Sequence, residues 1–349
     1  MDGIGKGKNG MRENNLHSVN KPVEKEDISL DLLSQIEKAA LIIRDGGLVA
    51  FPTETVYGLG ANALNPVAVA KIFEMKERPS FDPLIVHIAN VEELKQLTIS
   101  QDDRVYQLAE HFWPGPLTIV LPKSKLIPDI VSSGLPTVAI RMPDNKIALE
   151  LIRKSGCPIA APSANKFGRL SPVKAGHVKK QLPGVDFVID GGAANVGIES
   201  TIIAIENNTC IILRPGAITA ADIEKAMPGK FTFSTKKTGG NISPGMLKSH
   251  YSPAKPLHII KDLKTSFPMS SGLILHGKKE LNYEVEKIIY TSEDYNLPEI
   301  AANLFSALHT MEESESVNQI YIEAVEPAGL GIAIMDRIKK AAYQYRKNI

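Results

Sequence analysis

The chain has 349 residues, 40 of them basic and 39 acidic, so its charges nearly cancel. That balance excludes a protein that holds nucleic acid by bulk positive charge, and any anion site has to be local. The length predicts two domains with a sizeable core. The two cysteines, Cys157 and Cys210, lie far apart and show neither metal-site spacing nor a disulfide framework. No apolar run reaches membrane-spanning length, and the opening MDGIGKGKNGMRENNLHSVNK lacks the apolar core of a signal peptide. A soluble, cytoplasmic protein that touches no membrane is expected.

Residues 1–25 are polar and Gly-rich and read as an arm. Leu33, Ile36, Ala40 and Ile43 recur at helical spacing between Leu30 and Arg44, and Gly46-Gly47 ends that helix. An apolar strand, Leu48 to Phe51, stops at Pro52. If the chain stays extended beyond it, Thr53, Thr55 and Tyr57 share one face. Asn65-Pro66 reads as a helix N-cap and first turn, and Pro79 ends the helix near Arg78. Breaking the helix there lets Lys76 and Arg78 reach one cleft.

A helix follows around Val91 to Leu97, then short strands at Leu117–Leu121, Val138–Ile140, Phe187–Ile189, Ile202–Ile205 and Ile211–Leu213. Helices are expected at Ile147–Lys154 and Thr219–Met227. Strands alternating with helices predict an α/β sheet, parallel or mixed, with the site at strand ends. Residues 26–228 form this first domain, and 229–256, rich in Gly, Ser, Lys and Pro, read as a linker. Residues 257–349, with strands at His258–Ile260, Gly272–His276 and Ile320–Ile322 and a helix at Pro298–His309, read as a smaller α/β domain.

Several constellations compete with plain structural readings. Gly272 to Lys279 imitates a phosphate loop, but Lys279 stands where Ser or Thr is needed and the middle is an apolar strand. Ser163, Asn165, Arg169 and Ser171 in AAPSANKFGRLSP supply donors for phosphate or sugar, or else bond their own backbone in a turn. Arg141 and Arg214 stand where strands run out, and with Lys76 and Arg78 they suggest a pocket for several negative charges. His87 and Trp113 read as packed core residues. Neither an HExxH motif nor a paired-Cys cluster is present.

Taken together, PTETVYGLGA, KERP, DPLIVHI, FWPGPLT, TVAIRMP, APSAN with GRLSP, GIEST and LRPGAI resemble the YrdC-like threonylcarbamoyl-AMP synthases. They run in the family's order across residues 44–218, and SPGM with HYSP at 243–253 resembles the linker of the long form, which has an extra C-terminal domain. The resemblance implies a YrdC-like twisted open sheet around a basic cavity, plus a smaller C-terminal α/β domain. It also implies a reaction: L-threonine, bicarbonate or carbon dioxide, and ATP give threonylcarbamoyl-AMP and pyrophosphate. The product would pass to a tRNA threonylcarbamoyl-transfer complex, with RNA contact as a further expectation.

Carried over by position, the resemblance assigns Thr55, His87, Arg141, Ala161 (through its backbone) and Ser200 to L-threonine. It assigns Arg78, Asp82, Thr137, Ser163, Ser171, Arg214 and Tyr251 to ATP. Lys76, Arg78 and Asn165 form its catalytic signature, and Tyr251 makes the linker a lid. The family often has Asn where Asp82 stands; an ionised carboxylate cannot donate to phosphate. Magnesium is expected to arrive with ATP and not on a protein cage. Transfer at phosphorus needs positioning and charge stabilisation more than covalent help, so Lys76→Ala is expected to lose adenylate formation in a folded protein. Two other readings remain: a double-stranded RNA-binding module, and a carbamoyl-adenylate former of the hydrogenase-maturation type, whose acylphosphatase-like and zinc-finger regions this chain lacks.

Overall fold

The computed structural model describes residues 28–235, 250–263, 266–281 and 284–348. The arm at 1–25 and the SPGM segment at 243–246 lie outside the described residues. Leu30–Arg44 is a helix as expected: the Ser29 hydroxyl accepts from the Leu32 N–H, and Ile36, Ala39, Ala40 and Ile43 are buried. Pro66–Lys76 starts where Asn65 predicts, its side chain accepting from the Val67 and Ala68 amides.

These helices pack on a ten-stranded mixed sheet. Its order from one edge is Thr232–Ser234, Thr209–Arg214, Thr201–Glu206, Leu117–Pro122, Thr137–Arg141, Ile85–His87, Ile159–Ala160, Gly58–Asn62, Val49–Phe51 and Phe187–Val188. Ile85–His87 and Thr137–Arg141 are parallel, so His87 and Arg141 pair at the same end of two neighbouring strands. A second sheet, all parallel, has the order Leu257–Ile260, Gln319–Glu323, Ser271–Leu275 and Lys287–Tyr290. The phosphate-loop imitation is the buried strand of this sheet.

Three features depart from the expectations. Residues 53–57 are not extended. The Thr53 hydroxyl donates to the Val56 carbonyl (2.6 Å) and folds a tight turn, while the Tyr57 hydroxyl turns away to the Gly192 carbonyl (2.6 Å). The Thr232–Ser234 strand lies within the stretch read as linker, paired in parallel to Thr209–Arg214. The third departure is a set of elements beyond those read from sequence: helices Asp103–Phe112 and Leu330–Ala341 and strands Gly58–Asn62 and Lys287–Tyr290. Gly58–Asn62 is masked in sequence by its glycines, yet they are why it fits. A Cβ on Gly60 would lie 2.7 Å from both Phe51 and Ile159.

The two sheets do not stand apart. One apolar cluster joins Val56, Leu170 and Ile198 from the larger part to Ile300, Leu304 and Phe305 of the C-terminal Leu297–Glu313 helix. At Gly197 (φ +73°) an added Cβ would lie 2.4 Å from the Ala302 carbonyl oxygen. Another close approach sits inside the larger sheet, where Gly216 lets Arg214-Pro215-Gly216 cross the backbone of Glu199, Ser200 and Thr201. A Cβ there would meet the Thr201 nitrogen at 2.3 Å. Gly216→Ala should therefore destabilise the larger domain by about 1–3 kcal/mol. Thermal unfolding checks this, and an unchanged midpoint would mean the backbone crossing yields without cost.

Candidate active site

The Pro66–Lys76 helix ends on Glu77, a non-glycine residue in the left-handed conformation (φ 54°). That turn sends the two signature cations in different directions. Arg78 lines a narrow cavity of about 50 Å³ beside the strand ends. Lys76 does not join it in one cleft, contrary to the sequence expectation. Its amine is buried under the 163–165 loop, donating to the carbonyls of Ser163 (2.6 Å) and Asn165. Burial, then the Arg78 charge, pushes the Lys76 pKa well below the usual lysine range. Lys76→Ala would orphan two carbonyls, so lost stability should accompany any lost activity.

Arg141 and Arg214 reach the same cavity from two strand ends. Arg141 is pinned on three sides. Its guanidinium donates to the Thr55 hydroxyl (3.0 Å) and the Gly115 carbonyl (3.3 Å) and pairs with Glu54 (2.6 Å). Arg214 donates to the Ser200 carbonyl and hydroxyl, both at 3.0 Å. Arg78 donates to the Asp82 and Pro83 carbonyls and pairs with the Asp82 carboxylate at 3.0 Å. Burial lowers the Arg78 and Arg214 pKa values and raises that of Asp82, on which Arg78 then acts in the opposite direction. Glu199 is the one carboxylate among the described residues lining the cavity.

The remaining residues from the sequence analysis divide clearly. Thr55, His87, Ala161, Ser163 and Tyr251 line the cavity. Ser200 stands behind Arg214, its hydroxyl also bonded to that of Thr118 (2.7 Å). Ser171 donates to Glu199 (2.5 Å), and the Asn165 amide donates to the Lys166 and Arg169 carbonyls. Thr137, half-buried, is not brought to the cavity: it opens the strand that Arg141 closes, roughly 13 Å away at strand rise. Asp82 serves Arg78 and is not among the lining residues.

His250 and Tyr251 close the cavity from outside the larger sheet. Tyr251 is buried at positive φ (62°), its ring 5.4 Å from Phe305 and its hydroxyl without a hydrogen-bond partner among the described residues. Four contributors escaped sequence reading. Glu54, Glu199 and His250 lie inside quoted motifs but carry no local mark of their partners; Arg337 meets the site only through tertiary packing.

A mixed sheet whose strand ends deliver arginines into a narrow cavity, with a second domain packed on it, defines a protein of the Sua5, YciO and YrdC class. Residues 41–216 match that family's profile, described as "Telomere recombination", and 218–343 match one described as "Threonylcarbamoyl-AMP synthase, C-terminal domain". The threonylcarbamoyl-AMP synthase of Pyrococcus abyssi is 42% identical, covering 88% of this chain and 94% of its own length. That of Bacillus subtilis is 43% identical, covering 88% and 93%. The crystal structure of P. abyssi Sua5 complexed with L-threonine superposes with a TM-score of 0.79 at 41% identity, covering 88% of this chain and 94% of that one. The chain belongs to the threonylcarbamoyl-AMP synthase family.

Burial gives the site a pH signature. It holds the pKa of both His87 and His250 at about 3, with Arg141 adding to the effect at His87. A folded value below the unfolded one, near 6.5, means the unfolded chain binds more protons between the two. Stability is therefore complete above about pH 6.5 and lost as pH falls towards 3. Each histidine should remove about 2 kcal/mol by pH 5. His87→Asn should reduce the loss between pH 7 and pH 5 by that amount in calorimetry. An equal loss in variant and parent would mean His87 is protonated in the fold.

Proposed function

We propose that this chain makes L-threonylcarbamoyladenylate from L-threonine, bicarbonate or carbon dioxide and ATP, releasing pyrophosphate, for threonylcarbamoyladenosine in tRNA. One observation carries the reading: Arg78, Arg141 and Arg214, from three separate elements, converge on a narrow cavity lined by one carboxylate. Such a site suits a small carboxylate and a polyphosphate together. Arg141, fixed by Thr55 and Glu54, would hold the threonine carboxylate. His87, uncharged, would pack beside it. The Ala161 N–H is spent on the Ile85 carbonyl (2.9 Å), so its contact with the ligand falls to its own carbonyl, an acceptor for the threonine nitrogen. Val56, Ile85 and Pro162 supply the apolar wall for the methyl group.

Arg78 and Arg214 would meet the phosphates, with Ser163 nearby. Ser200 acts by aiming Arg214, and Lys76 with Asn165 by bracing the loop that carries Ser163. Among the described residues no group of three or more His, Cys, Asp or Glu stands together, and Glu199 is already paired with Arg337. These residues do not cage an ion, so magnesium is counted as part of the substrate, Mg-ATP. The carbamate formed on threonine attacks the α-phosphorus and pyrophosphate leaves. This chain's contribution is alignment and fixed positive charge.

The cavity is too small for ATP as it stands, so the 250–253 segment would open for entry and close afterwards, which fits the lid role of Tyr251. Double-stranded RNA binding is not supported, because Arg78, Arg141 and Arg214 are at most 8% exposed and a duplex cannot reach them. No described helix is long and apolar enough to cross a membrane. A cytoplasmic enzyme that hands its adenylate to a tRNA-modifying complex is the setting we propose.

Purified protein with Mg-ATP should release pyrophosphate only when threonine and bicarbonate are both present, with a product carrying threonine, one carbon and AMP. Serine, lacking the methyl, should lose about 1–3 kcal/mol in kcat/KM. ATP turnover indifferent to threonine would refute the reading, and turnover needing carbamoyl phosphate would replace it.

A further inference from the structure

We propose that the C-terminal domain completes the nucleotide site through Arg337, a positioning residue that neutralises Glu199 and so fixes Ser171 and the seat of Tyr251. The inference rests on the adenylate-forming reading of the cavity and names a part the second domain plays in it. Arg337 belongs to the Leu330–Ala341 helix and is completely buried. Its Nε donates to Glu199 Oε2 (2.7 Å) and one Nη to the Glu199 carbonyl (3.2 Å). The other Nη donates to the Pro215 carbonyl (2.9 Å) and to Asp336 (2.8 Å). The guanidinium carbon lies 5.5 Å from the Tyr251 ring centre.

One side chain of the second domain thus ties together three segments of the site: Glu199, the turn after Arg214, and the closing tyrosine. A role as interdomain glue alone fits poorly. The domains already share an apolar cluster and peripheral pairs, Arg169 with Glu312 and Lys180 with Glu313. A fully buried arginine is a costly adhesive, because its desolvation offsets most of what its pairing returns.

The cavity chemistry supplies the better reason. Glu199 is the carboxylate that an incoming polyphosphate would meet. Burial alone would raise its pKa, but Arg337, then Arg214 and Ser171, hold it at about 2, so it stays charged. Without Arg337 that charge would repel the nucleotide. With Arg337 it is cancelled, and its second oxygen, Oε1, accepts the Ser171 hydroxyl (2.5 Å). Ser171 has then used its proton and offers only lone pairs. Ser171, fully buried and not among the residues that line the cavity, therefore acts through Glu199 and not as a donor to phosphate.

The test compares ATP dissociation constants and the KM values for ATP and threonine in the full-length protein. Arg337→Met should weaken ATP by at least about tenfold, with the threonine KM within about twofold. Adding Glu199→Gln to Arg337→Met removes the stranded charge while keeping an acceptor for Ser171, and should restore most of the ATP affinity. Arg337→Lys, which keeps the charge but has fewer donors, should fall between parent and Arg337→Met, and it serves if Arg337→Met does not fold. Unchanged ATP affinity in a folded Arg337 variant overturns the proposal. So does an equal rise in both KM values, or a double variant no better than the single one. If the parent binds ATP but ignores threonine, the reaction assignment fails, while the ratio of ATP dissociation constants still decides for or against Arg337.

Discussion

Positive charge taken out of water governs this structure. Lys76, Arg78, Arg141, Arg214 and Arg337 are all nearly or fully buried. Isolated in an apolar interior, each would cost several kcal/mol in lost hydration. Arg78 offsets this with Asp82, Arg141 with Glu54, and Arg337 with Glu199. Lys76 and Arg214 have no ion-paired carboxylate among the described residues and lean on carbonyls and a hydroxyl. The cations of the site therefore outnumber the carboxylates that pair with them, which suits the polyphosphate of the proposed reading.

The fold serves this arrangement by making strand ends coincide. Parallel pairing of Ile85–His87 with Thr137–Arg141 sets His87 and Arg141 side by side. The antiparallel pairing of Thr201–Glu206 with Thr209–Arg214 returns Arg214 to Ser200. Arg78 arrives by a different device, a helix that stops on a left-handed glutamate. Because each cation hangs from a separate rigid element, the gap between them is set by the sheet and not by side-chain choice. That is the preorganisation that charge stabilisation at a transferring phosphate requires.

What could be read in advance follows from how far each signal reaches along the chain. Asn65-Pro66 and the break before Pro79 are local, and they foretold the helix whose end precedes Arg78. Apolar periodicity located most strands of the larger sheet, and the strand-end positions of Arg141 and Arg214 came with it. The extended reading of Thr53, Thr55 and Tyr57 failed because the Thr53 hydroxyl captures the Val56 carbonyl, a competition that alternation does not register. Lys76 was placed beside Arg78 because the direction of a side chain after a left-handed residue is invisible in sequence. Arg337 could not be found at all: a buried arginine in an amphipathic helix looks like a surface arginine until its partner, 138 residues away, is known. The family resemblance filled part of this gap, but only for residues inside the shared motifs.

The larger sheet by itself does not close its own site. Tyr251 covers the cavity from the connecting segment, and Arg337 lies beneath that ring from the C-terminal domain. The segment is anchored to both parts, since the Ser252 amide donates to the Gly168 carbonyl (2.8 Å) and its hydroxyl to the Ala341 carbonyl (3.1 Å). On the lid reading, opening would break contacts on both sides, and closing would remake them together. Closure excludes water, which strengthens every charge–charge interaction inside. A reactive acyl phosphate linkage gains from this, because water is the competing nucleophile. The second domain is then part of the site's electrostatics and, beneath Tyr251, of its cover.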